Sequence, residues 1–196
     1  MKEDILEQLV DEYLQHKGYF TQHNIKFRPR KDHPDFITNQ DSNHSDSDID
    51  VLAINPLLNG PNRILAVSCK SWQKGFNPQE KIIQITENKT VSGREAWKGF
   101  RELIVPKWNE AFKKAVFDMT GSTEFTYVTA VTRLKGDKAV WEEHPLFIKS
   151  MGSKVEILTF SNILDELYPG LDTTMASSEV GRLLQLIKAS NWSPNT

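Results

Sequence analysis

The chain has a single cysteine, Cys69, among its 196 residues. One thiol forms no internal disulfide, and a zinc cluster built on cysteine is excluded with it. No apolar run approaches the length that crosses a bilayer, and the opening Met1-Lys2-Glu3-Asp4 carries no apolar secretory core. The expected location is therefore the cytoplasm. The five histidines, His16, His23, His33, His44 and His144, show no metal-ligand spacing, so solvated or structural roles are expected of them. Glycine-rich phosphate loops are missing, which argues against a nucleotide triphosphatase. A large excess of one charge is lacking too: 24 Lys and Arg against 26 Asp and Glu leave a formal net charge of -2, which argues against a generic nucleic-acid coat protein.

What is present is the composition of a soluble globular chain, 38% hydrophobic and 26% charged, long enough to bury one core, so residues 1–196 are expected to form a single domain. Charge is unevenly spread. Acidic residues dominate from Met1 to Asp50, whereas Lys81 to Lys114 leans basic through Lys81, Lys89, Arg94, Lys98, Arg101, Lys107, Lys113 and Lys114. Interleaved Glu87, Glu95, Glu102 and Glu110 make this stretch read as a solvated helical face.

Ile5, Leu6, Leu9, Val10, Tyr13 and Leu14 recur at helical spacing and Gly18 follows as a stop, which predicts a first amphipathic helix. Tyr19 to Phe27 reads as a strand, and the polar stretch Lys31 to Ser47 as a long loop. Two almost continuously apolar runs, Ile49 to Ile54 and Ile64 to Cys69, are joined by turn residues and predict an antiparallel hairpin of central strands. From Pro78 to about Phe117 the pattern is helical, broken near Val91-Ser92-Gly93 and at Pro106. Trp97, Phe100, Trp108 and Phe112 are expected in the core. Phe125 to Val131 and Val155 to Phe160 read as strands, Ser161 as the cap of a short helix Asn162 to Leu167, and Ser178 to Ala189 as a last helix. That order predicts an α/β fold in three layers, α/β/α, with a mixed central sheet.

Chemistry concentrates in the hairpin. Asp50 stands where a polar loop enters the first apolar run, and the second run ends on Lys70. Strand alternation sends Ser68 and Lys70 to one face and Cys69 to the other. A carboxylate, a main-chain carbonyl such as that of Cys69, and waters form the oxygen set that Mg²⁺ prefers, and a lysine beside them can orient or deprotonate an attacking water. Glu7 falls beside Leu14 at the margin of the first helix's apolar stripe, with Glu3 one turn earlier. Asp46 and Asp48 read as loop carboxylates, Asp48 sharing the strand face of Asp50. Just past the second strand, Ser71, Trp72, Gln73 and Lys74 are placed to meet a substrate backbone.

Asp50, the apolar strand after it and Val67-Ser68-Cys69-Lys70 resemble the PD-(D/E)xK nuclease superfamily, with the nearest similarity to Holliday-junction resolvases and Mrr-type endonucleases. Those families open with a helix bearing a catalytic glutamate before a Gly-aromatic pair, and here Glu7 precedes Gly18-Tyr19. The resemblance spans roughly Glu3 to Trp72. It implies a restriction endonuclease-like fold and a metal-dependent endonuclease that hydrolyses DNA phosphodiester bonds with Mg²⁺ or Mn²⁺. Glu7 and Asp50 would hold the metal with the Cys69 carbonyl, and Lys70 would be the catalytic lysine. Trp72, Lys74, Lys81, Lys89 and Arg94 are the expected DNA contacts, and resolvases of this type are homodimers. Ser68 departs from the motif, which has Glu, Asp or Gln there. The missing carboxylate is then expected on the following helix, at Glu80 or Glu87, or Glu7 with Asp48 or Asp50 holds the metal without it. The alternative is a catalytically inactive nucleic-acid-binding or interaction module on the same fold.

Overall fold

Alternating burial along the strands sorts apolar side chains onto the two faces of one sheet, and helices with apolar stripes cover both. The computed structural model describes residues 4–38, 46–172, 176 and 178–190. Helix α1 spans Ile5–His16, its first turn capped by the Asp4 carboxylate, which accepts the Leu6 amide at 2.8 Å. Strands β1 (Phe20–Phe27), β2 (Ser47–Ile54) and β3 (Ile64–Lys70) follow. Next come α2 (Pro78–Thr86), a minor hairpin of β4 (Thr90–Val91) and β5 (Arg94–Glu95), α3 (Arg101–Ile104) and α4 (Pro106–Thr120). Strand β6 (Thr126–Val131) is followed by α5 (Ala139–Glu142), α6 (Pro145–Met151), β7 (Lys154–Thr159), α7 (Phe160–Gly170) and α8 (Glu179–Ala189).

The sheet has five strands in the order β1-β2-β3-β6-β7. Pairing is antiparallel from β1 to β3 and parallel from β3 to β7, so the α/β fold with a mixed sheet is as the element order predicts. On one face Ile49, Leu52, Ala66, Tyr127 and Val155 pack with side chains of α2 to α6, including Phe100, Trp108 and Phe112. On the other, Val51, Ala53, Val67, Val128 and Ala130 pack with α1 and α7. No helix among the described residues is long and apolar enough to cross a membrane.

Three local expectations need correction. Helices α5 and α6 fill the stretch between the two late strands, for which no element was expected; Pro145 opens α6 at its first turn, where a missing amide donor does no harm. The cap of α7 is Thr159 and not Ser161: its hydroxyl accepts the Asn162 amide at 3.2 Å while the Asn162 side chain returns to the Thr159 amide. Phe160 therefore belongs to the helix, which runs on through Pro169. Of the loop read over Lys31 to Ser47, residues 39–45 lie outside the described residues, as does Glu3, and Ser47 already belongs to β2.

Two features of the ladder shape the site. Pairing between β2 and β3 stops at Val51↔Val67, although β3 stays paired with β6 through Lys70↔Val131. The two strands therefore part just where Asp50 and Ser68 would face each other. On its other side β2 pairs with β1 at His23↔Val51 and Ile25↔Ile49, but not at Asp50, opposite which Asn24 adopts a left-handed backbone (φ 54°). Asparagine tolerates that conformation and a β-branched residue does not. Asn24→Val is expected to cost about 1–2 kcal/mol in thermal or denaturant unfolding, and Asn24→Gly close to nothing.

Candidate functional site

Asp50 fills the opening between β2 and β3. Its Oδ2 accepts the Cys69 amide at 2.6 Å, so the carboxylate takes the hydrogen bond that the interrupted ladder leaves on β3. In an extended residue the N–H and C=O point to the same side, so the Cys69 carbonyl also faces this opening. Burial pushes the Asp50 carboxyl up to about 6. The charges of Asp48 and Glu102 act in the same direction, and Lys70 and the Cys69 amide oppose them.

Glu7 reaches the same opening from α1. Burial, then the charges of Asp50, Asp4 and Asp48, push its carboxyl up to about 7, against a backbone hydrogen bond from Asp4. Asp4 also accepts the Ser71 hydroxyl at 2.5 Å, which ties the start of α1 to the chain leaving β3. Two carboxyls brought together with their proton affinities raised to near neutrality form a site short of positive charge.

Lys70 and Ser68 lie on the α2–α6 face, and Cys69 packs with the α1 side. The Lys70 ammonium stands over the Phe100 ring, 5.2 Å from its centroid. Burial holds the Cys69 thiol well above its usual pKa, which leaves a neutral thiol in an apolar layer and no nucleophile. Ser68 is buried, and its hydroxyl is bonded to the Tyr127 phenol, which is wholly enclosed. That phenol donates to Glu102 Oε1 at 2.6 Å. Glu102, only 5% exposed, is held from its backbone side by Asn109, whose amide donates to the Glu102 carbonyl at 2.7 Å.

Glu102 is thus a buried carboxylate linked to Ser68 through the Tyr127 phenol, although its interleaved charges read as a solvated face. Glu80 and Glu87, the residues expected to carry the relocated acid, are exposed. Glu80 accepts the Gln84 amide at 2.8 Å and Glu87 pairs with Lys89 at 2.8 Å, and neither is among the charges that act on Asp50. Asp48 is engaged by Lys26 at 2.6 Å and Asp46 by Arg28 at 2.7 Å. Of the expected DNA contacts, Trp72 stacks on Phe76 and carries the Lys81 ammonium 4.4 Å from its centroid, so both are drawn into packing. Lys89 and Arg94 sit exposed at the minor hairpin, away from β3, while Lys74 is exposed beside the site.

Among the described residues no group of three or more His, Cys, Asp or Glu side chains is gathered closely enough to hold a metal ion by itself. What the arrangement offers is two carboxylates and a carbonyl at the opening, a third carboxylate behind Tyr127, and one ammonium. The chain matches no described protein family, no curated protein and no solved structure.

Proposed function

We propose that this protein is a Mg²⁺- or Mn²⁺-dependent DNA endonuclease of the PD-(D/E)xK type on a restriction endonuclease-like sheet. The observation that carries this reading is Asp50 seated where β2 and β3 part, holding the Cys69 amide, with Lys70 the next residue on the same strand. A hard divalent ion is ordinarily held by one or two carboxylates, completed by carbonyl, water and substrate phosphate oxygens. Asp50, Glu7 and the Cys69 carbonyl match that donor set in kind. When bound, such an ion would polarise the scissile phosphoryl group and lower the pKa of a water. The chain's own residues do the rest. Asp50 and Glu7 fix the charge at the mouth of the opening, Lys70 orients the attacking water or meets the phosphate, and the Ser68–Tyr127–Glu102 chain anchors the face on which Lys70 lies.

Supercoiled plasmid and four-way junction DNA, incubated with Mg²⁺ or Mn²⁺, test the reading. The wild type is expected to cleave. Lys70→Ala should lose activity by about 10²–10⁴-fold, the range for removing a group that moves or positions a proton. Glu102→Gln should lose about tenfold, because it keeps the hydrogen bond from Tyr127 and removes only charge. Equal cleavage by wild type and Lys70→Ala would sink the assignment. The second reading, an inactive DNA-binding module, is favoured by the neutral Ser68 in the motif position and its engagement with Tyr127. Retained DNA binding with no cleavage by any form would select it.

A further inference from the structure

Many basic side chains of this protein are already tied to a carboxylate, as Lys26 is to Asp48 and Lys114 to Asp118, each at 2.6 Å. Lys74, Arg133 and Lys135 have no acidic partner among the described residues, and the fold places them together beside Lys70. The chain leaving β3 and the chain leaving β6 are zipped to each other. The Thr132 hydroxyl donates to the Trp72 carbonyl at 2.6 Å, the Phe76 amide to the Arg133 carbonyl at 2.7 Å, and the Lys135 amide to the Phe76 carbonyl at 2.7 Å. Gly75 lies in this zipper at φ +81°. A Cβ there would meet the Arg133 carbonyl at 3.0 Å, Arg133 Nε at 3.3 Å and Lys135 Cε at 3.3 Å. Both basic side chains therefore cross the backbone at Gly75, next to Lys74.

A cavity of about 600 Å³ opens beyond them, with Thr132, Arg133, Lys138 and Thr159 set against the apolar Ile157 and Phe160. The parallel register sets Lys70 beside Val131 and Val131 beside Thr159, so the cavity and the Asp50–Lys70 site share one end of the sheet. At about 4.8 Å per strand spacing, Thr159 is roughly 10 Å from Lys70 across the sheet. Along the axis of B-DNA that corresponds to about three base-pair steps at 3.4 Å each. The capping box of α7 already occupies the Thr159 and Asn162 amides. Of the carboxylates that follow Lys135 in the chain, Asp137 accepts the Ala139 amide at 3.0 Å, and Glu142 is occupied by the Ile157 amide at 2.9 Å and by Lys138 at 3.5 Å.

We infer that this trough carries the sugar-phosphate backbone of duplex DNA away from the cleavage site, with Lys74, Arg133 and Lys135 neutralising successive phosphates. The inference rests on the nuclease reading and adds the path of the substrate. Such contacts are sequence-independent, so the trough sets affinity and orientation and leaves base choice to other groups.

Fluorescence anisotropy with a fluorescein-labelled 30-base-pair duplex, in EDTA and across a salt series, separates binding from cleavage. Arg133→Gln with Lys135→Gln should weaken binding about tenfold near 0.1 M salt and lower the slope of log K against log salt by about 2, near 0.9 for each lost phosphate contact. Lys149→Gln is the control; Lys149 lies on α6, ahead of the opposite end of β7, and its substitution should change neither quantity. Unchanged affinity and slope in the double variant, with Mg²⁺-dependent cleavage still abolished by Asp50→Asn, would overturn the trough and leave the nuclease reading standing. Failure of the wild type to bind the duplex or cleave it would overturn both.

Discussion

Asp50→Asn is expected to abolish Mg²⁺-dependent DNA cleavage, by about 10³-fold or more, and at the same time to make the metal-free protein more stable at pH 8. The two effects have one cause. Asparagine keeps an oxygen for the Cys69 amide but removes a charge that burial and its neighbours disfavour. With the carboxyl raised from 3.8 to about 6, the gain is about 1–2 kcal/mol, since part of the nominal 1.36 kcal/mol per pH unit is recovered by relaxation. In a chain of this size that amounts to a rise in Tm of about 3–6 °C.

The pH dependence follows in sign. A carboxyl whose folded-state pKa lies above its unfolded value binds its proton more tightly when folded. The stability it contributes is complete below the unfolded value and is lost as pH rises through the folded one. Asp50 places that loss between pH 3.8 and about 6, and Glu7 between 4.5 and about 7, the latter smaller because Glu7 is only half-buried. In EDTA, wild-type Tm should therefore fall from pH 5 to pH 8 more steeply than that of Asp50→Asn with Glu7→Gln. Mg²⁺ should raise the wild-type Tm at pH 8 by mass action and leave the double variant unmoved. A lower Tm for Asp50→Asn at pH 8 in EDTA, or wild-type cleavage by that variant, would contradict the site as described.

The parts of this structure legible in the sequence are those fixed by local pattern. Apolar runs bounded by turn residues located β2 and β3, and a period of two placed Ser68 and Lys70 on one face. Apolar positions at helical spacing and the stop at Gly18 located α1. What was not legible depends on partners far along the chain. Glu102 sits among alternating charges that read as a solvated face, and only the approach of Tyr127 and Asn109 buries it. Ser68 read as a gap because its partner, Tyr127, is nearly sixty residues away and looked like an ordinary core residue of β6. The left-handed Asn24 opposite Asp50 is a property of the ladder and not of its own neighbours. Arg133 and Lys135 drew no notice as isolated charges after a strand; their meaning comes from parallel pairing, which lays the exit of β6 against the exit of β3.

Trp141→Ala should destabilise the protein by about 3–5 kcal/mol, enough to lower Tm by roughly 10 °C, and should also disturb the site. Trp141 is fully enclosed on the short helix α5. Its ring meets Phe76 at 4.9 Å, Phe100 at 5.0 Å and Phe147 at 4.6 Å between centroids, and its Nε1 donates to the Thr129 hydroxyl at 3.2 Å. Truncation leaves a cavity among these rings and an unsatisfied hydroxyl in β6. Phe100 is the ring beneath the Lys70 ammonium, and Phe76 anchors the chain that leaves β3 toward Gly75. Loss of Trp141 therefore loosens the floor under Lys70 as well as the core. Ile163→Ala, equally buried but on the α1–α7 face, provides the comparison. It should cost about 2–5 kcal/mol, yet, well below its own Tm, cleave DNA as the wild type does. Trp141→Ala should cleave more slowly under the same condition, with every molecule folded. A Tm within about 2 °C of wild type for Trp141→Ala would contradict the packing, and equal cleavage by the two variants would disconnect the aromatic cluster from Lys70.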